Sequence, residues 1–265
     1  MYIKFIAVVL AAGVLLCSGC SQKNGEEPTV LQDLVYQPGV EESDCTIYLC
    51  EESGFVPYLV LTDAYADDKA CLLLRCDLLE ETGIYQENHR YSGYYADSTV
   101  DRYLNACFYE TLSDCLQRYL QLVPVEITCK SSLWGGEGKT EYIERYIFLL
   151  SVYEISGRSS TTQLKEGKPL GYFDSDQRRT AFSKSAEACS WWLRTPNIWY
   201  DNIVYAVNPQ GAIDVGGTGQ SGRASKSGIR PAFCLPSQMK IVCLQGQYYL
   251  YDDAPTEGRT EGGAP

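Results

Sequence analysis

The sequence has little of what most catalytic and metal centres are built from. It contains one histidine, His89, and the cysteines after Cys20 include no pair at the C-x-x-C spacing of zinc sites and redox centres. Histidine-assisted serine or cysteine chemistry would rest on His89 alone, and its neighbours Glu87, Asn88 and Arg90 are typical of a solvated loop. A G-x-S-x-G nucleophile elbow is also missing from the sequence. We therefore predict no metal and no cofactor, and a binding module in preference to an enzyme.

Positive charge is also in short supply. The chain has 22 lysines and arginines against 34 aspartates and glutamates, which gives a formal net charge of −12. Because nucleic acids need a basic binding surface, and anionic lipids attract basic segments, neither is an expected partner through charge. The plentiful carboxylates leave one enzymatic alternative open, a cell-wall or polysaccharide hydrolase that uses two of them, although no spacing selects a pair.

The apolar run at the N-terminus is too short to cross a membrane as a helix. It extends over 12 residues from Phe5 to Leu16, whereas a spanning helix needs about 20. Small residues then precede Cys20, an order typical of a secretory signal peptide. The segment resembles the lipobox of bacterial lipoproteins, with Cys17 where that motif usually has Leu. We predict a signal peptide over residues 1–19, a lipid on Cys20 and anchoring of the protein to the outside of the cell membrane. An ordinary signal peptide is the alternative.

Composition divides the rest of the chain into three parts. Residues 20–44 contain glycines and prolines among acidic residues, which predicts a flexible tether. Residues 45–251 alternate apolar runs with turns and are numerous enough for one folded domain. Residues 252–265 have no large apolar side chain, which predicts a disordered tail.

Ten cysteines follow Cys20, and an even number outside the cytoplasm invites disulfide pairing. Cys71 and Cys76 would lie about 16 Å apart in one strand, and Cys107 and Cys115 about 12 Å apart in one helix. A disulfide needs Cα atoms within about 7 Å, so neither pair can form a bridge. Most of the ten have apolar neighbours, as buried free thiols do. We expect some long-range bridges at most and no full set.

Apolar periodicity predicts short strands and one long helix. In the helix, from Val100 to Leu120, apolar residues recur every three or four positions; Ser98 and Asp101 form a capping box, and a break falls near Tyr109. The predicted fold is α+β, a single compact domain of short, mostly antiparallel strands with one main amphipathic helix. The predicted strands are Thr46–Leu49, Tyr58–Thr62, Cys71–Cys76, Val123–Cys129, Tyr146–Tyr153, Ser190–Arg194, Ile203–Val207, Gly228–Leu235, Lys240–Leu244 and Gln247–Tyr251.

Several motifs follow one another in order between residues 58 and 236. They are Ser98-Thr99, Tyr103-Leu104-Asn105, Phe108-Tyr109, Ile147 to Ser151 with Glu154, Trp191 to Pro196, Ala206-Val207 with Gly211, and Gly228 to Phe233. In this order they resemble the uncharacterised bacterial domain-of-unknown-function family 6273, whose members are secreted and surface domains; Thr195 stands where the family usually has Ser. The resemblance implies a compact α+β domain and no known activity. More distantly, the tryptophan strand and the closing Gly-Ile-Arg resemble the C-type-lectin-like fold, although the calcium-site motifs of true C-type lectins are absent.

Two of these motifs predict architecture, not a binding site. In a strand, Trp191 faces one side while Trp192 and Arg194 face the other, which favours a buried guanidinium stacked on an aromatic ring. In the motif Gly228-Ile229-Arg230-Pro231, the proline predicts that the strand is interrupted or lies at an edge. We expect both arginines to be buried and paired with carboxylates, because an unpaired buried charge is costly.

The predicted ligand-binding face is the loop region 196–228. Its candidate residues are Asn197, Trp199, Tyr200, Asp201 and Asn202, followed by the basic residues Arg223 and Lys226 of a glycine-rich loop. The expected ligand is an extracellular glycan, a peptide or another protein. The alternatives are the hydrolase described above and a structural or assembly lipoprotein that has no small ligand.

Overall fold

A computed structural model describes residues 28–66, 69–79, 85–86, 93–200, 202–220 and 227–255. His89, and every residue before Pro28, lie outside these ranges. No helix within them is long and apolar enough to cross a membrane. The strands are β1 Thr46–Glu51, β2 Gly54–Thr62, β3 Ala70–Arg75, β4 Val123–Thr128, β5 Thr140–Arg145, β6 Ile147–Phe148, β7 Ala181–Phe182, β8 Ala188–Cys189, β9 Trp191–Pro196, β10 Ile203–Val207, β11 Ile213–Gln220, β12 Ala232–Pro236, β13 Ile241–Leu244 and β14 Gln247–Leu250.

A seven-stranded sheet forms the centre of the domain. Its strand order is β13-β14-β1-β2-β3-β12-β6, and β1 with β14 is its one parallel pair among the described strands. All six residues of β3 are buried, which explains why its apolar run is continuous and does not alternate. The α+β class and the single compact domain with mostly antiparallel strands are confirmed.

A smaller three-stranded sheet, β11-β10-β9, brings the tryptophan strand against the rest of the core. Gly228 lies beside β9, because its amide donates to Ser190 and its carbonyl accepts from the amide of Trp192. A side chain on Gly228 could not fit, since a Cβ there would lie 2.4 Å from Leu78. Strand β12 begins only at Ala232, directly after Pro231, so the interruption predicted there is present.

Two segments have a different secondary structure from the one predicted. The run Tyr146–Tyr153 is a strand only over Ile147–Phe148, because Ser151 and Glu154 form a capping box that begins a helix at Val152. The glycine-rich segment that we interpreted as a loop contains the strand β11, paired with β10.

The long predicted helix is several short ones. Ser98 accepts from the amide of Asp101 as expected, but the Asp101 carboxylate accepts from the amide of Asp97, outside the helix. The break lies at Leu112, not near Tyr109, because Leu112 is extended and Ser113 caps the next helix. The helices are α1 Thr99–Tyr103, α2 Tyr109–Thr111, α3 Asp114–Tyr119, α4 Val152–Ser156 and α5 Asp176–Arg179, with a π-helical stretch Leu104–Phe108 between α1 and α2.

The folded domain begins earlier than the predicted tether allows. A 3-10 helix, Leu31–Leu34, buries both of its leucines, and the amide of Leu31 donates to Met239 beside β13. Residues 28–44 are therefore part of the domain, and the tether prediction is wrong for them, because two leucines packed on the core outweigh an acidic composition. At the other end, Ser113 donates to Asp253, so the first residues of the predicted tail are also attached to the domain.

All ten cysteines after Cys20 lie among the described residues, and all are free thiols. Burial raises the pKa of Cys45, Cys71 and Cys76 to about 12. These three thiols are neutral at physiological pH, as expected of cysteines that serve as small apolar core residues. The disulfide bridges that the sequence left open are not formed in this structure.

Candidate functional site

One group of charged residues in the described chain is entirely buried. Arg194 on β9 has no solvent exposure and forms a bidentate pair with Glu154 on α4, with Nη1–Oε2 and Nη2–Oε1 distances of 2.7 and 2.8 Å. Its remaining donors reach the carbonyls of Leu149 and Glu126. Burial lowers the pKa of the Arg194 guanidinium, but Glu154, Tyr65 and Glu166 together outweigh that effect and raise the pKa overall. Arg194 therefore connects β9, α4 and β4.

A second buried carboxylate, Glu166, lies beside this pair. It accepts from the amide and hydroxyl of Thr128, both at 2.7 Å, and from the hydroxyl of Thr195 at 2.5 Å. Burial raises the pKa of Glu166, and these donors together with Arg194 oppose the rise. The Thr195 hydroxyl also accepts from the amide of Val152. Since Glu154 and Glu166 are both fully buried, a polymer substrate cannot reach them in this structure.

Arg230 differs from Arg194 in its partners. It is also buried, but its guanidinium stacks on Trp191 at 5.2 Å and its Nε donates to the carbonyl of Arg75. Its Nη1 has no hydrogen-bond partner, and none of the described carboxylates lies within ion-pair distance. Burial lowers the pKa of Arg230. The stacking on an aromatic ring that we predicted for Arg194 is present at Arg230 instead. The prediction that Arg230 pairs with a carboxylate is wrong.

The structure separates the candidate residues of the predicted binding loop. Asn197 is buried, and its side chain accepts from the amide of Trp199 at 3.0 Å. It therefore shapes the turn and does not face a ligand. Trp199 and Tyr200 are 55% and 57% exposed, and Asn202 is exposed as well. The other three candidates, Asp201, Arg223 and Lys226, lie outside the described residues.

A second exposed tryptophan, which the sequence reasoning missed, lies on the loop between β4 and β5. Trp134 is 71% exposed and has a φ of +67°, a left-handed conformation that costs a residue with a side chain roughly 1–2 kcal/mol. Gly135 and Gly136 follow it, and a Cβ on Gly136 would lie 1.9 Å from the carbonyl oxygen of Ser131. A tryptophan followed by two glycines was the available sign of a turn that presents an aromatic ring.

A backbone hydrogen bond joins this loop to the one that carries Trp199. The amide of Gly135 donates to the carbonyl of Ile198 at 2.7 Å, and a Cβ on Gly135 would lie 3.0 Å from Cζ3 of Trp199. The indole Nε1 of Trp199 donates to the carbonyl of Thr161 at 2.8 Å. Three loops thus hold one group of exposed rings, which we call the aromatic surface and define as Trp134, Trp199 and Tyr200.

The described residues contain no group of three or more histidine, cysteine, aspartate or glutamate side chains that could hold a metal ion. Catalysis by a bound metal therefore has no candidate ligand set in this part of the chain. The aromatic surface offers π faces and neutral polar groups, which suit non-covalent recognition.

Fold and site together define a single α+β domain with a buried ionic centre and an exposed aromatic surface. The family model described as Domain of unknown function (DUF6273) matches residues 68–237, and the chain belongs to this family. Both exposed tryptophans and the whole Arg194 centre lie inside the matched region. Searches of curated proteins and of solved structures found no match.

Proposed function

We propose that this protein is a bacterial lipoprotein, held at the outer side of a membrane by a lipid on Cys20, whose domain binds an extracellular ligand at the aromatic surface. The observation that carries the proposal is the position of Trp134 and Trp199. Both are largely exposed, one is held in a strained backbone conformation, and a backbone hydrogen bond from Gly135 to Ile198 joins their loops. Large exposed apolar side chains and stored backbone strain are both typical of binding sites.

The early start of the folded domain adds a geometric consequence. Seven residues lie between Cys20 and Pro28, the first described residue. The eight Cα-to-Cα steps that join these two residues span at most about 28 Å. A lipid on Cys20 would therefore hold the domain close to the membrane, where an extracellular ligand near the cell surface is within reach.

We propose in addition that the fold is C-type-lectin-like. The buried tryptophan strand β9, its bridge to Gly228 and the mixed central sheet support this assignment. An experimental structure superposed on C-type-lectin-like domains tests it, and a different connection order around β9 and β12 would contradict it.

Membrane partitioning tests the anchor separately from the ligand. Wild-type chain and Cys20→Ala are expressed in a bacterium that processes lipoproteins and separated by detergent phase partitioning. We expect the wild-type chain in the detergent phase and Cys20→Ala in the aqueous phase or as uncleaved precursor. Equal partitioning of the two would contradict the lipid anchor.

Binding at the aromatic surface is tested by capture on immobilised cell-wall, glycan and protein preparations. The double variant Trp134→Ala with Trp199→Ala should lose capture, whereas Phe182→Ala, an exposed aromatic on the separate hairpin β7–β8, should keep it. A turnover assay on the same polymers runs beside it. Capture that survives the double variant would contradict the proposed site, and turnover would favour the hydrolase.

A further inference from the structure

We infer that the aromatic surface takes the apolar face of an uncharged sugar ring, so that the ligand is a neutral glycan. The inference rests on the proposed binding function and narrows its ligand to one chemical class. It follows from how Trp199 is held, from the polar groups around it and from the charge of the chain.

Trp199 is held at both ends of its long axis. The indole Nε1 is already used by the carbonyl of Thr161, and Cζ3, at the opposite end of the ring system, lies against Gly135. The only hydrogen-bond donor of the ring is therefore already used, while Trp199 as a whole stays 55% exposed. A flat, apolar, electron-rich face suits the C–H groups on one side of a pyranose ring.

The second tryptophan extends the same surface. Trp134 directly precedes Gly135, whose backbone lies against the Trp199 ring, so the two tryptophans are carried by loops that touch each other. Its φ of +67° turns the chain at this point, and a position that needs only a turn would be served at lower cost by glycine. Two exposed rings on fixed loops suit a chain of several sugars better than a single one.

Neutral polar side chains lie on the loops that hold the rings. Ser160, Thr161 and Asn202 are exposed and can exchange hydrogen bonds with sugar hydroxyls. Glu137 and Lys139 form an ion pair with each other, and Arg158 is a nearby exposed cation. With a net charge of −12, the chain as a whole repels polyanions. An uncharged polymer is not subject to this electrostatic repulsion.

A peptide is a poorer fit for the same surface. Peptides that bind in extended form add to free backbone groups at a sheet edge. Here backbone groups of the three loops bond to each other. The amide of Gly135 donates to the carbonyl of Ile198, and the amide of Ile198 donates to the carbonyl of Thr162. Ring faces and hydroxyls are left for the ligand.

Tryptophan fluorescence gives a direct test, because the four tryptophans fall into two groups. Trp191 and Trp192 are fully buried, so acrylamide quenching of the folded chain reports mainly Trp134 and Trp199. The detergent-solubilised full chain is titrated with neutral hexasaccharides of β-linked glucose, mannose and N-acetylglucosamine. We expect at least one of them to lower the quenching constant about twofold at saturation, and Trp199→Ala to weaken its binding about tenfold, as the loss of an aromatic contact of this kind predicts. Phe182→Ala should bind as the wild-type chain does.

Two comparison ligands separate failure of the inference from failure of the proposed function. Polygalacturonate supplies a charged glycan, and casein supplies an unfolded polypeptide. Shielding by either of these, but by none of the neutral hexasaccharides, would overturn the neutral-glycan inference and leave the binding surface in place. If no ligand shields the tryptophans and capture is independent of them, both the inference and the proposed function are overturned.

Discussion

Trp192 and Trp199 lie seven residues apart on one segment and have opposite environments. Trp192 is fully buried on β9 and meets the edge of Tyr85 at 5.6 Å, whereas Trp199 is largely exposed beyond the end of that strand. The same contrast separates the buried centre on β9, where Arg194 pairs with Glu154, from the aromatic surface on the loops. The buried centre on β9 stabilises the domain that carries the loops, and the aromatic surface presents rings to solvent. Substitutions in the first should change stability, and substitutions in the second should change binding.

The largest expected effect is at Arg194. Arg194→Ala leaves the Glu154 carboxylate buried without its partner and should lower the free energy of unfolding by about 3–5 kcal/mol. Urea unfolding followed by circular dichroism measures it. Glu154→Ala should cost a similar amount, and the double variant should cost clearly less than the sum of the two. Full additivity would show that the two residues act independently.

The tryptophans give the sharpest form of the comparison. Trp192→Ala should lower the free energy of unfolding by about 3–5 kcal/mol, because it leaves a large cavity in the core. Trp199→Ala removes an exposed ring and should change the free energy of unfolding by about 0.5 kcal/mol or less, not counting the loss of the hydrogen bond to Thr161. Equal losses in urea unfolding would place Trp199 in the core and remove the basis for the aromatic surface.

Arg230 should be easier to replace than Arg194. Because no described carboxylate pairs with it, Arg230→Met strands no charge and keeps most of the apolar contact with Trp191. We expect Arg230→Met to change the free energy of unfolding by about 1 kcal/mol or less, or to raise it, as hydrophobic replacements of buried charges often do. Arg194→Met, measured beside it, should be clearly destabilising, and the reverse order of the two would contradict the assigned partners.

The sequence was sufficient for the class of the fold and for the burial of β9. Short continuous apolar runs such as Cys71 to Leu74 are typical of buried strands, and the Trp191–Trp192 pair lies in such a run. The partners of Arg194 were not predictable, because Glu154 and Glu166 lie 40 and 28 positions away along the chain and nothing local marks them among 34 acidic residues. Trp134 was missed for a related reason, since its exposure depends on a backbone conformation that the sequence does not show.

The buried Glu166 should make stability depend on pH in the direction opposite to a salt-bridged carboxylate. Burial raises its pKa in the folded state, so ionisation costs more in the folded chain than in the unfolded one. The contribution of Glu166 to the free energy of unfolding is therefore largest at low pH and falls as the pH rises from about 4 through the raised pKa. Glu166→Gln carries no titrating proton, and the stability advantage of the wild-type chain over it should shrink between pH 4 and pH 7 in urea unfolding. The exposed Glu144→Gln is the control, and an advantage over Glu166→Gln that stays constant or grows with pH would contradict the raised pKa.

The smallest expected change in stability is also the one most specific to the aromatic surface. Trp134 has a φ of +67°, which glycine adopts without the strain that a side chain brings. Trp134→Gly should therefore leave the free energy of unfolding unchanged or raise it by up to about 1 kcal/mol, even though it deletes the largest side chain in the loop. The same variant should lose binding, because the ring is gone.

Gly171→Ala, with no atom within 4 Å of the added Cβ, is a matched control for a glycine exchange that touches nothing. A stable Trp134→Gly chain that no longer binds would show that the strain at this position is maintained for recognition. A clear loss of stability would instead assign Trp134 a packing role and place the ligand elsewhere.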